Sequence, residues 1–188
     1  MRPQLILIAG PNGAGKTTYY ENYLKQSGLP YVGADRISAT TGVGAYEAAQ
    51  VADDLRREYL KQGISFVAET VFSDPVGDKL NFLREAMAAG YEVALIYIGL
   101  ESPAMARDRV TGRVNDGGHD VPDEKIAARY PRSLANLAEA LKFVPEVKVY
   151  DNSSFDEPYR LLAEFRDGRV ARRVEVAMPG WAAGFMGK

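Results

Sequence analysis

The sequence contains no cysteine. That excludes a disulfide framework, a thiolate zinc site and a cysteine nucleophile, and it suits a reducing compartment. No apolar run approaches the roughly eighteen residues of a membrane span, so no membrane partner is expected. The formal net charge is only −2 and no long basic block is present, which argues against a nucleic-acid surface. The apolar stretch after Met1-Arg2-Pro3 is too short for a secretory leader. It runs directly into a glycine-rich turn instead of a cleavage site, and the expected location is cytoplasmic. Internal repeats and low-complexity segments are also missing.

What is present is enough for one domain with a real core: 188 residues, 46% of them hydrophobic and 26% charged. One stretch organises the rest. Gly10-Pro11-Asn12-Gly13-Ala14-Gly15-Lys16-Thr17 fits the phosphate-binding pattern of Gly, four residues, Gly-Lys and Ser or Thr. An apolar run, Leu5 to Ala9, precedes it and helix-compatible residues follow, the context the motif needs. Glycines let backbone N–H groups turn inward as an anion nest, and the helix start behind adds unpaired donors. Lys16 is expected to reach the β- and γ-phosphates of ATP, and the Thr17 hydroxyl to ligate Mg2+, with Thr18 completing the loop.

Strand one is read as Gln4 to Ala9, and the first helix as Gly15 to about Ser27, closed by Gly28. Pro30 to Asp35 reads as a short second strand ending in an acid. After a break at Gly42 to Gly44, a helix runs from Ala45 to Gln62 and Gly63 stops it. Ile64 to Ala68 is a third strand ending at Glu69, and Asp74-Pro75 opens a helix to about Ala89. Tyr91 to Leu100 is a nearly unbroken apolar run, as in a strand buried on both faces. Ser102-Pro103 starts the next helix. Asn115 to Pro122 reads as a loop with a glycine pair as hinge. A helix from Asp123 to about Phe143 is expected to be interrupted and kinked at Pro131. Val147 to Tyr150 is a fifth strand ending in Asp151-Asn152. Asp167-Gly168 marks a C-terminal hairpin.

The alternation of strands and helices predicts an α/β fold of the P-loop NTPase or kinase type. The expected form is a three-layer sandwich with a five-stranded, mainly parallel sheet, a helical lid over about 102–143 and a C-terminal β-hairpin. Residues 1–155 form the core, and residues 156–188 a hairpin and tail packed on the same domain. Ligands on such sheets sit beyond the carboxyl ends of the strands, where Asp35, Glu69 and Asp151 all fall.

Phosphoryl transfer needs charge neutralisation, in-line placement and a group to take the acceptor's proton. Either Asp35 or Glu69 suits a magnesium-side acid, and either suits a general base. Asn152 is expected to touch the nucleotide. Arg109 and Arg113 share a helix face, while Arg129 and Arg132 flank Pro131 across the glycine loop. Two arginine-bearing helices joined by a loop describe a lid that closes on ATP. His119, the only histidine, falls in that lid loop.

With loop, acids and lid in place, the sequence resembles the zeta-toxin-like P-loop kinases. The carrying strings are A-G-P-N-G-A-G-K-T-T (Ala9 to Thr18), G-A-D-R-I (Gly33 to Ile37), F-V-A-E-T-V-F-S (Phe66 to Ser73) and R-V-T-G-R-V-N-D-G-G-H-D-V-P (Arg109 to Pro122). R-Y-P-R-S-L-A-N-L (Arg129 to Leu137) and Y-D-N-S (Tyr150 to Ser153) complete the set. The resemblance implies an ATP- and Mg2+-dependent kinase with a hydroxyl acceptor, which in the family's toxins belongs to the sugar of UDP-N-acetylglucosamine. It implies Asp35 as the base and Glu69 against substrate or the metal's water shell. Arg109 or Arg113 would meet phosphate, with His119, Arg129 and Arg132 as further lid residues. An antitoxin protein is the implied partner. Two other readings stay open: a P-loop kinase of a nucleoside, sugar acid or antibiotic, and a nucleotide-binding toxin–antitoxin module acting through partner contact.

Overall fold

The computed structural model describes residues 2–115 and 121–185. The centre of the expected lid loop, including His119, lies outside the described residues. Seven strands form one sheet in the order β2-β3-β1-β4-β5-β6-β7. The parallel part comprises β1 (Gln4–Ala9), β2 (Tyr31–Val32), β3 (Phe66–Thr70), β4 (Glu92–Gly99) and β5 (Glu146–Asp151). The hairpin strands β6 (Arg160–Arg166) and β7 (Arg169–Arg173) join antiparallel at the β5 edge. The hairpin therefore extends the sheet from five strands to seven. Asp167 and Gly168 both take positive φ, 49° and 76°, the backbone a tight turn between twisted strands requires.

The unbroken apolar strands follow from layering. On β1, Leu5, Leu7 and Ala9 point into one buried cluster and Ile8 into the other. On β4, Leu95 and Tyr97 alternate in the same way with Ile96 and Ile98. The first face is covered by α3 (Ala45–Gln62), α4 (Asp78–Ala88) and part of α6 (Asp123–Ala140), through Ala52, Leu83 and Leu137. The second is covered by the first helix, α5 (Pro103–Asn115) and the start of α6, through Tyr20, Val110 and Ile126. Both faces are dry, so strand residues of either parity must be apolar.

The first helix is α1 (Lys16–Tyr19), continued by a π-helical turn (Tyr20–Leu24) and a 3-10 turn (Lys25–Ser27). Four elements depart from the sequence reading. β2 stops at Val32, and a helix, α2 (Ala34–Thr41), begins where the strand was expected to end. Asp35 therefore sits in the first turn of a helix, where the N-terminal end of the macrodipole favours a carboxylate. α4 starts at Asp78, not at Asp74-Pro75, because Gly77 supplies the cap. α6 runs through Pro131 without interruption. Proline there removes one backbone donor from within the helix, and packing of Tyr130, Ser133 and Leu137 holds it together.

The tail docks on the sheet through Trp181, in a 3-10 turn (Gly180–Phe185). Its ring lies so close over Gly99 that a Cβ there would stand 2.2 Å from it. Its Nε1 donates to Asp151 Oδ1 at 3.0 Å. Asp151 also accepts from Ser153 Oγ and Arg160, so this acid at the strand end ties down the tail and the β5–β6 connection. Among the described residues, no helix is long and apolar enough to cross a membrane.

Candidate active site

The phosphate loop leaves the carboxyl end of β1, the central parallel strand, between β3 and β4. Gly10 turns the chain at φ 145°, tight against the Ile98 carbonyl of β4. Lys16 is buried, and its Nζ donates to the carbonyls of Gly10 (3.1 Å) and Pro11 (3.0 Å). Burial lowers the Lys16 pKa, while Glu69 and Asp35 pull it back up. An ammonium folded back onto the carbonyls of its own loop is placed to move onto an anion.

β3 runs parallel to β1 with Glu69 opposite Ile8, which brings its side chain to the loop. Thr17 Oγ1 donates to Glu69 Oε2 at 2.9 Å, and the Tyr31 hydroxyl donates to the same oxygen. Burial, then the neighbouring Glu69, raise the Tyr31 pKa, so the phenol stays a donor. Tyr31 is itself stacked on Tyr20 at 3.9 Å between ring centroids. The Thr17 hydroxyl and the Glu69 carboxylate are hard oxygens of the type magnesium takes, so the residues present fit that ion.

Asp35 faces the same cleft from α2. Arg113, from α5, donates through Nη1 to Asp35 Oδ2 at 3.1 Å. Arg109, one helical turn earlier, reaches the other way. Its Nη2 donates to the Ser153 carbonyl at 3.3 Å, and its guanidinium lies 4.7 Å from the Phe155 ring centroid. Arg129 of α6 also lines the cleft. The cavity these groups enclose holds about 1110 Å3.

The structure thus brings Asn12, Gly13, Gly15, Lys16, Thr17, Thr18, Asp35, Glu69, Arg109, Arg113 and Arg129 to one cleft. Gly10 and Pro11 lie behind it as acceptors for Lys16, and Ala14 is fully buried. Two of the expected residues do not line the cleft. Arg132 turns away and donates through Nε to the Ala128 carbonyl of its own helix at 2.8 Å. Asn152 does not face the cleft: its Nδ2 donates to the Ala14 carbonyl at 2.9 Å and its Oδ1 accepts from the Tyr159 N–H at 3.1 Å. Tyr159 adds a bond from its hydroxyl to the Gly15 carbonyl at 2.8 Å. Asn152 is a brace for the loop, not a wall of the pocket.

That placement carries a prediction. Replacing Asn152 with alanine leaves a buried carbonyl and a part-buried N–H unpaired, and should cost about 2 kcal/mol. Thermal melting without nucleotide should show it as a fall of about 4–8 °C. A residue that only touched nucleotide would leave that melt unchanged.

Sequence reasoning missed the wall of the cleft built by Asp53, Arg56, Asp74 and Lys79, and the lining ring of Phe155. One signal was available. Arg56 falls four residues after Ala52 and eight after Ala48, on the buried stripe of α3, where a charge needs a reason.

Comparisons with known proteins agree with this fold. An uncharacterized protein of Haemophilus influenzae is 25% identical over 135 residues, spanning 69% of this chain and 94% of that protein. A crystal structure of the AvrRxo1-ORF1:-ORF2 complex with ATP superimposes with a TM-score of 0.69 at 15% identity, over 90% of this chain. The alignment spans only 60% of the matched AvrRxo1 chain. The PezAT toxin–antitoxin system of Streptococcus pneumoniae matches with a TM-score of 0.61 at 18% identity, over 87% of this chain and 72% of that one. At such identities these structures share the fold, a P-loop kinase-like α/β sandwich. The family model of the AAA domain matches residues 5–132, well over half of the sequence and the whole run from β1 into α6, and the chain belongs to that AAA domain family, AAA_33.

Proposed function

We propose that the protein is an ATP-dependent phosphotransferase that moves the γ-phosphoryl group to a hydroxyl of a small molecule, with the sugar of UDP-N-acetylglucosamine or a similar nucleotide sugar as acceptor. The observation that carries this reading is the convergence of Lys16, Glu69, Asp35 and Arg113 on one cleft. A nucleotide-binding switch needs the loop but not a carboxylate and an arginine facing it from two other helices.

The triphosphate lies in the loop, with backbone N–H groups and Lys16 around its β- and γ-phosphates. Thr17 would hold Mg2+ directly and Glu69 through its water shell. When bound, that ion neutralises charge on the β- and γ-oxygens. Tyr31 fixes the Glu69 carboxylate in place. Asp35 takes the proton of the acceptor hydroxyl as its oxygen bonds to the γ-phosphorus. The bond from that phosphorus to the β-phosphate oxygen breaks, and ADP leaves. Arg113 exchanges Asp35 for the equatorial phosphoryl oxygens, which frees the carboxylate when the nucleotide is present. Arg109 and Phe155 present a planar cation and an aromatic ring at the loop end, a slot suited to a base.

The test is transfer of label from γ-labelled ATP to nucleotide sugars, nucleosides and sugar acids, with magnesium present. The wild-type protein should label one acceptor class, and Lys16→Met should lose about 10²–10³ in rate. Absence of transfer to any acceptor would remove the enzyme reading. A second reading, a nucleotide-binding module acting through a protein partner, is favoured by the likeness to PezAT, a toxin–antitoxin system. Purification with a small neighbouring protein that blocks nucleotide binding, without turnover, would support it. The working place we assign is the cytoplasm, where ATP is supplied.

A further inference from the structure

We infer that Trp181 is a positioning residue for the nucleotide: through Asp151 it fixes the wall, Ser153 to Phe155, against which the base of ATP lies. This rests on the reading of Arg109 and Phe155 as the base slot and adds to it a residue from the tail.

Phe155 lines the cleft yet is 86% exposed, and the Arg109 guanidinium lies over its ring. Arg109 in turn has a buried Nε without a hydrogen-bond partner. A large ring left open to water beside an incompletely used guanidinium is what a flat ligand would cover. The slot exists only while the connection from β5 to β6 keeps its shape. Arg109 is held by the Ser153 carbonyl, and Phe155 follows two residues later. Tyr159, at the end of the connection, takes φ 53°, a conformation that a bulky residue keeps only where its neighbours hold it.

The holding groups converge on Asp151, buried at the end of β5. Its Oδ1 accepts from Ser153 Oγ at 2.6 Å and from Trp181 Nε1 at 3.0 Å, and its Oδ2 accepts from Arg160 Nη2 at 3.2 Å. Ser153 and Arg160 flank the connection, so they are part of what must be held. Trp181 comes from outside it. Its ring is seated over Gly99 of β4, with the Tyr97 ring centroid 6.0 Å away. The terminal torsion of an aspartate is soft, so a carboxylate bonded only to its own loop can turn with that loop. A donor fixed to the sheet stops that turning. Cover for the sheet end needs only an apolar ring, which phenylalanine supplies with no polar atom to satisfy. An indole adds one donor, and here that donor goes to the oxygen that also binds Ser153.

The experiment titrates the whole chain, with Mg2+ present, in a calorimeter. The two probes are a non-hydrolysable ATP analogue and inorganic triphosphate, which has the phosphates but no base. Trp181→Phe keeps a ring over Gly99 and removes the donor. Ser153→Ala removes the other donor to the same oxygen and leaves the tail untouched. Each variant should weaken the analogue by about fivefold to tenfold, the worth of one hydrogen bond, and leave inorganic triphosphate within about twofold. Equal weakening of both probes would make the tail a general support and overturn the inference. So would undiminished binding of the analogue by Trp181→Phe; where that variant does not fold, Ser153→Ala decides alone. A wild-type protein that binds the analogue no better than inorganic triphosphate would also overturn it, since the slot would then hold no base. The readout is binding, so a protein that binds the analogue but transfers no phosphate from ATP would strike the kinase reading and leave this inference standing. A protein that binds neither probe would strike both.

Discussion

Asp35→Asn should lower kcat by about 10²–10⁴ while leaving the KM for ATP within about threefold, the pattern of a lost general base. Asparagine keeps the shape and polarity of the side chain but accepts no proton at neutral pH. It also cannot bind Arg113 as an ion pair. That pair is half exposed, with side-chain exposures of 40% and 52%, so its loss should matter little to folding. Stability and catalysis should therefore separate: the melting curve holds and turnover collapses. Steady-state kinetics on the acceptor labelled by the wild type provide the measurement. Full activity in the variant would take Asp35 out of the proton-accepting role, and Glu69 would be the remaining carboxylate in reach of the loop.

Gly10→Ala should be the most damaging alanine replacement among the described glycines. At φ 145° a non-glycine residue is strained, at a cost of about 1–3 kcal/mol. The added Cβ would also lie 2.1 Å from the Ile98 carbonyl oxygen. That oxygen belongs to β4, a central strand packed on both faces, so it cannot retreat cheaply. Adding overpacking at about 1–3 kcal/mol gives a loss of several kcal/mol, or about 8–15 °C in Tm. Gly28→Ala is the control. It also has positive φ, 70°, but nothing lies within 4 Å of its added Cβ. It should cost only about 1 kcal/mol. Equal melting temperatures for the two variants would mean that the close approach to Ile98 does not constrain the loop.

Some of the site could be read residue by residue because its causes are local. Gly10 to Thr17 dictates a tight turn between a strand and a helix from its own composition. The alternation of apolar residues on β1 and β4 requires cover on both faces wherever the chain goes. Asp167-Gly168 dictates a hairpin, though not which edge it joins. Asp35 was legible as an acid near the loop but not as a helical residue. Two residues of β2 are too short a signal, and Gly33 starts α2 without a capping side chain. Asn152 shows the limit from the other side. Its amide suits a nucleobase and a backbone carbonyl equally well. Only the pairing of β5 with β4 sets it under Ala14, 138 residues away in sequence.

The sequence by itself determined the phosphate loop, the α/β layering and the charge types available for transfer chemistry, since each depends on neighbours in the chain or on periodicity. The tertiary structure alone decided that Glu69 meets Thr17, that Arg113 meets Asp35, and that Arg56, Asp53 and Lys79 line the same cleft. Those meetings depend on strand order and helix packing, which join residues dozens of positions apart. A side chain's charge is written in its own letter, but its partner is chosen by the fold.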